Sequence, residues 1–187
     1  MQLGPESISK YKLSEEELKI TMSGYTPLSV PANGFFLKEG EVCPYIGFVT
    51  KGLLRSYTYD DRANEITREF YPDNSLIISM DSFNNQVPSK ENIRAIEDSE
   101  LMVISFEKQK ELYELVPVWN RICKELADQA GNALITRSYR FQTLSAAERY
   151  RLFCEEHPQL LQRATLGHIA SYLGVDIATL SRIRKKW

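Results

Sequence analysis

Between Thr26 and Ile104 glycine, proline and Asp/Asn clusters cut the chain every few residues into short runs of β-forming residues, and after Ser105 a helical period takes over. That switch restricts the fold more than any other feature. The runs are Leu28–Val30, Phe35–Leu37, Tyr45–Thr50, Leu53–Tyr59, Glu65–Tyr71, Asn92–Ile96 and Leu101–Ile104. Turn residues separate them at Pro31-Ala32-Asn33-Gly34, Lys38-Glu39-Gly40-Glu41, Lys51-Gly52 and Asp60-Asp61-Arg62-Ala63-Asn64. Alternation is visible where Leu54, Ser56 and Thr58 interleave with Arg55, Tyr57 and Tyr59. Seven short strands in this order predict a sandwich or barrel followed by helices, an α+β chain.

Helix signals bracket the strands. Ser14 and Glu17 form an S-x-x-E capping box, with Leu13 and Leu18 at the staple positions, for a helix from Leu13 to about Ser23. Ser105 caps a helix from Phe106 to about Leu115, and Pro117 restarts the chain into a long helix from Val118 to about Thr143. At ~1.5 Å per residue this rod is about 39 Å long. Trp119, Ile122, Leu126, Ala130, Ala133, Arg137 and Phe141 recur along it at three- and four-residue steps, with Leu134 and Ile135 adding apolar width. Such a stripe needs burial, against the chain's own strands or against a second copy of the helix, which the small Ala130 and Ala133 would let approach. Ser145 with Glu148 opens a further helix ending near His157-Pro158, Thr165 caps Leu166–Leu173, and Asp176 caps Ile177–Lys186.

Composition then removes alternatives. The 187 residues are 43% hydrophobic and 26% charged, which suits a folded chain of one large or two small domains. The longest apolar stretch, Leu76–Met80, is far below the ~20 residues of a membrane span, so a cytoplasmic protein without a membrane partner is expected. Cys43, Cys123 and Cys154 are widely spaced and odd in number, arguing for free thiols over a disulfide framework or zinc ribbon. The two histidines, His157 and His168, both lie in the helical part. A metal site or a Ser-His-Asp triad among the strands therefore lacks its ligands, and no catalytic residue, metal or cofactor is assigned. Net charge is −2, but Arg163, Arg182, Arg184, Lys185 and Lys186 face only Asp176 in the last 25 residues, so an acidic body carries a basic end.

That basic end has the pattern of a helix-turn-helix. Ala170 is small where two helices cross, Gly174 falls at the turn, and Leu180 comes ten residues after Ala170 to fill the crossing. Ile169, Leu173 and Val175 take core positions. Outside remain Thr165, Ile177, Ala178, Thr179, Ser181, Arg182, Lys185 and Lys186, the candidate DNA contacts. Arginine can donate twice to guanine, apolar groups can touch a thymine methyl, and threonine and lysine can reach phosphates.

With FFLKEGEVCPYIGFVTKGLLRSY, then IRAIEDSELMVIS, then IASYLGVDIATLSRIRKK, the chain resembles the Crp/Fnr transcriptional regulators from about Leu13 to Trp187. The resemblance implies an N-terminal β-roll of jelly-roll type over residues 1–117, like a cyclic nucleotide-binding domain. A long dimerisation helix over 118–143 and a helix-turn-helix over 144–187 complete it, the latter expected to lack a complete wing because the sequence stops at Trp187, directly after the recognition helix. It also implies a homodimer through the long-helix stripe. The family's base-reading arginine and glutamate fall on Ile177 and Ala178, its phosphate-contacting threonine on Thr179 and its later base-reading arginine on Arg182, so the DNA sequence read should differ.

The family's cyclic AMP positions fall on Ser79, on Ser89 with Lys90, and on Leu134 with Ile135, which removes the ribose-binding glutamate and the phosphate-binding arginine. An unpaired buried phosphate is costly, so cyclic AMP is not the expected ligand. An effector in the roll would be lined by Phe70, Ser79, Met80, Phe83, Ser89, Lys90 and Leu134. An N-terminal cysteine cluster and a histidine in the roll are both missing, which argues against iron–sulfur and haem groups. The expectation is a sequence-specific DNA-binding regulator whose partners are a pseudo-palindromic duplex and its own second copy. RNA polymerase and an unidentified small molecule are further candidates. The alternative is a signalling module that binds a small molecule or nucleotide and acts through protein contacts without DNA.

Overall fold

The computed structural model describes residues 11 and 13–186; the ends of the first and last expected segments, at residues 1 and 187, lie outside them. Helix α1 (Glu15–Ser23) starts at the expected capping box: Ser14 Oγ accepts from the Glu17 amide at 3.2 Å and Glu17 Oε2 from the Ser14 amide at 2.9 Å. Eight strands follow among the described residues, packed as two four-stranded antiparallel sheets. The first sheet orders β1 (Thr26–Val30), β8 (Ser99–Ser105), β3 (Tyr45–Lys51) and β6 (Ser75–Ile77) side by side. The second orders β2 (Phe35–Leu37), β7 (Asn92–Ala95), β4 (Leu54–Tyr59) and β5 (Glu65–Tyr71). Strand β6 and the short helix α2 (Met80–Asn85) were not foreseen from the sequence, which shows only one apolar run there.

Alternation sorts the side chains into an inner and an outer set. Val49, Leu54, Ile77, Ile93, Leu101 and Val103 meet between the sheets with Phe36, Leu37, Cys43 and Phe83. Gly52 makes the tight β3–β4 connection at φ +115°, where a Cβ would stand 2.6 Å from Ser99 Cα. The three cysteines are free thiols.

Both outer faces are covered. On the first sheet, Ile104 packs with Leu112 of α3 (Phe106–Leu115) and with Trp119 and Ile122 of the long helix α4 (Pro117–Thr143). Pro117 opens α4 at its first turn, where its missing amide costs nothing. The second sheet is covered by the C-terminal helices α5 (Ala146–Glu156), α6 (Leu160–Arg163), α7 (Leu166–Tyr172) and α8 (Ile177–Lys185). Phe70 of β5 lies against Phe153 and Tyr172, with ring centroids 6.3 and 5.3 Å away.

Polar pairing fixes the position of α7 on β5. Ser171 Oγ donates to Thr67 Oγ1 at 2.8 Å and accepts from the Thr67 amide at 3.1 Å. The Thr67 hydroxyl also accepts from the buried Arg55 guanidinium, which pairs with Glu65 and stacks on Tyr57. Arg163 bridges Asp73 and Glu97 of the roll. Arg137 donates to the Arg68 and Tyr172 carbonyls while lying 4.0 Å above the Tyr172 ring. His168 is caught in this seam: burial, with Arg55 and Arg94 nearby, lowers its imidazole to about 4.

Two outcomes are expected. Gly52→Ala meets both a left-handed backbone and Ser99, and should cost about 2 kcal/mol or more in urea unfolding; an unchanged midpoint would contradict the turn geometry. Because His168 stays neutral when folded but takes up a proton near pH 6.5 when unfolded, stability should fall as pH drops from about 6.5 towards 4. Burial lowers His157 in the same sense. His168→Gln should therefore reduce the slope of unfolding free energy between pH 7 and 5, and a slope equal to wild type would contradict this assignment.

Candidate functional site

The helix-turn-helix is built by α7 and α8. Thr165 accepts from the His168 amide at 3.2 Å to start α7, and Asp176 accepts from the Thr179 amide at 2.7 Å to start α8. Between them Gly174 adopts φ +66°, and a Cβ there would come within 2.7 Å of Phe141. Ala170 and Leu180 are fully buried at the crossing, beside Ile169 and Leu173, so the spacing read from the sequence closes as expected.

Burying Leu180 turns the rest of α8 outward. Ile177, Ala178, Arg182, Lys185 and Lys186 are exposed, while Thr179 and Ser181 are half-buried; Thr165 is exposed at the start of α7. Arg184, not among the candidates, is also exposed and adds a positive charge to this end. The sequence did carry that signal, as part of the run Arg182–Lys186. Arg182 is folded back, donating from Nη2 to Thr179 Oγ1 at 2.9 Å, and the Thr179 hydroxyl donates to Asp176 Oδ2 at 2.8 Å. Those hydrogen bonds hold the Asp176 carboxyl below the usual carboxylate range, the Thr179 amide contributing most. Among the described residues no strand follows Thr143.

The roll's candidate ligand residues do not form one site. Ser79 and Ser89 meet, buried, with Oγ atoms 3.3 Å apart, and Ser79 donates to Glu91 Oε1 at 2.9 Å. Phe83 is buried nearby against Phe106. Lys90 is exposed, so it supplies no inward cation, and the carboxylate of Glu91 stands where an anion would need a positive partner. Besides Lys90, three assignments need correcting. Phe70 faces out of the roll and is consumed by the helix-turn-helix contact; Leu134 is 60% exposed on α4; Met80 sits on the outer side of the first sheet. Strand parity decides the first, because Phe70 pairs directly with outward-facing Arg55.

The long-helix stripe also needs correction. Trp119 and Ile122 are buried in the chain's own core, Arg137 is tied to the Arg68 and Tyr172 carbonyls, and Phe141 packs at Gly174 beneath the Arg149 guanidinium. Leu126 and Ala130 are partly covered and Ala133 is exposed. The most exposed large apolar residues of α4 are Leu134, Ile135 and Tyr139, with Phe141 of the stripe exposed to a lesser degree. Among the described residues no helix is long and apolar enough to cross a membrane, and no group of three His, Cys, Asp or Glu side chains is placed to hold a metal.

Residues 27–115 match the cyclic nucleotide-binding domain family. No curated protein sequence matches the chain. Solved structures do. The c-di-GMP-responsive global regulator CLP of Xanthomonas campestris is 16% identical with a TM-score of 0.72, covering 92% of this chain and 91% of its own. FixK2 of Bradyrhizobium japonicum is 19% identical with a TM-score of 0.72, over 87% of this chain and 83% of its own. A protein of Eubacterium rectale described as a transcriptional regulator of the Crp/Fnr family is 19% identical with a TM-score of 0.73, over 93% and 83%. With the roll, long helix and helix-turn-helix in one order, and residues 27–115 similar in sequence to the cyclic nucleotide-binding domain family, the chain shares its fold with these solved regulators.

Proposed function

We propose that the protein is a homodimeric, sequence-specific DNA-binding transcriptional regulator that reads the major groove with α8. The observation that carries this reading is the outward face of that helix, where Ala178, Arg182 and Lys185 are exposed on one side of a helix anchored by buried Leu180. Two such helices related by a two-fold axis span successive major grooves about 34 Å apart, so the operator is pseudo-palindromic. Arg182 must leave Thr179 to reach a base edge, and that exchange replaces one hydrogen bond by a bidentate one to guanine. The fold shared with transcriptional regulators supports the same reading.

The two copies meet along Leu134, Ile135 and Tyr139 of α4, which are 60%, 69% and 64% exposed in the single chain. This face lies beside the stripe first assigned from the sequence, whose ends are occupied within the chain. Cyclic AMP is not the effector in this reading, because the buried Ser79–Ser89–Glu91 group offers a carboxylate and no cation to a cyclic phosphate. DNA binding itself needs no catalytic group.

The test is selection of duplexes from a random-sequence pool by the purified protein, followed by titration at fixed salt. A two-fold-related consensus is expected, and Arg182→Ala should weaken specific binding by about 1–3 kcal/mol. Unchanged operator affinity would refute the role of Arg182, and failure to enrich any sequence would favour the signalling module that acts without DNA. Ile135→Glu should shift the protein from dimer to monomer in sedimentation and abolish operator binding together; a dimer that persists would refute the interface.

A further inference from the structure

On the outer side of the first sheet the two strand-facing helices leave a gap. It is a half-open cavity of about 510 Å³ between α1, the sheet and the first half of α4. Its floor is the outward set of strand residues, Ile46, Phe48, Leu76 and Met102, and its walls include Tyr25 of the α1–β1 connection and Trp119 and Leu126 of α4. It is separate from the Ser79–Ser89–Glu91 group, none of whose members lines it.

Three features give the cavity a chemistry. None of the described residues lining it is charged, although 26% of the chain is. Met22, Met80 and Met102 all line it, so every methionine beyond the first residue is gathered at one site. Methionine is the side chain that repacks most readily around ligands of differing shape. Finally, the polar groups among the lining residues are neutral. Gln109 Nε2 donates to Tyr113 Oη at 3.0 Å and to Cys123 Sγ at 3.2 Å, burial pushes the Cys123 and Tyr25 protons to higher pH, and the buried Thr21 hydroxyl has no hydrogen-bond partner.

We propose that this cavity is a binding site for a neutral, largely apolar small molecule carrying one uncharged hydrogen-bonding group. No lining residue offers a charge to a charged ligand, and the nearby Glu125 carboxylate and Arg121 guanidinium are engaged with Tyr11, so desolvation disfavours anions and cations alike. An apolar body gains from burial against aromatic and methionine walls, and a cavity of this volume lies in the range used for small ligands. Because α4 forms one wall and also carries Leu134 and Ile135, occupancy couples to the long helix; that role as an effector site rests on the regulator reading above. Binding itself does not, and it is measured without DNA.

The experiment is a titration of the full chain with Nile red, a neutral apolar dye whose emission rises on leaving water. Saturable enhancement at one dye per chain is expected, with quenching of Trp119 emission. 1-Decanol should displace the dye at least tenfold more effectively than decanoate at pH 8, and cyclic AMP should not displace it. Ala127→Trp and Met22→Glu alter exposed residues at the mouth, and each should weaken dye binding at least tenfold while leaving the urea midpoint unchanged. Equal displacement by decanoate, or dye binding unaffected by both substitutions, would overturn the proposal. A dimer in sedimentation that leaves Nile red dark would also overturn it, assigning the cavity to the second copy.

Discussion

Neither sheet of the roll can leave its outer face in water, and most of the molecule follows from that. Outward Ile46, Phe48, Leu76, Met102 and Ile104 make the first sheet apolar on both sides, and α1, α3 and α4 must lie across it. The second sheet turns out Arg55, Tyr57, Thr67 and Phe70, a surface too polar for another sheet and too aromatic for solvent. The C-terminal helices α5, α6 and α7 cover it by matching each kind of group: Tyr172 and Phe153 on Phe70, Ser171 on Thr67, and Arg163 on Asp73 and Glu97. The roll and the C-terminal helices are therefore joined by a continuous, partly hydrogen-bonded seam.

That seam is selective in what it buries. It consumes the supporting helix α7 and leaves α8 outward, because Ala170 and Leu180 bind the two helices to each other and Gly174 sets their angle. A packed core is indifferent to sequence detail on the far side of α8, so that side is free to carry Ala178, Arg182 and Lys185. Residues on that side can then change without altering the scaffold.

Much of this was legible in the sequence wherever local chemistry decides the outcome. Both capping boxes, Ser14 with Glu17 and Ser145 with Glu148, form as read, and Gly174 takes the left-handed conformation its position demanded. Strand β6 escaped notice because three residues embedded in an apolar run carry no alternation. Assignments that depend on which side of an element faces what fared worse. Phe70 was placed in the roll although the pleat turns it out, and Leu134 was placed beside a ligand although it is exposed on α4. The stripe on α4 has the right period, but Trp119 and Ile122 serve the chain's own interior and Arg137 is tied to its own carbonyls, since periodicity says nothing about which partner a face meets. The pairing of Arg163 with Asp73 and Glu97 joins residues 66 and 90 positions apart and has no local signature.

The central claim is that α8 meets the phosphate-lined major groove, and the salt dependence of duplex binding tests it most directly. Arg182, Arg184, Lys185 and Lys186 of two copies offer enough charge to neutralise several phosphates. With a selected duplex, the logarithm of the binding constant should fall linearly with the logarithm of salt concentration, with a slope of about −4 or steeper. A slope near zero, or no binding at the lowest salt at which the protein stays folded, would contradict the account.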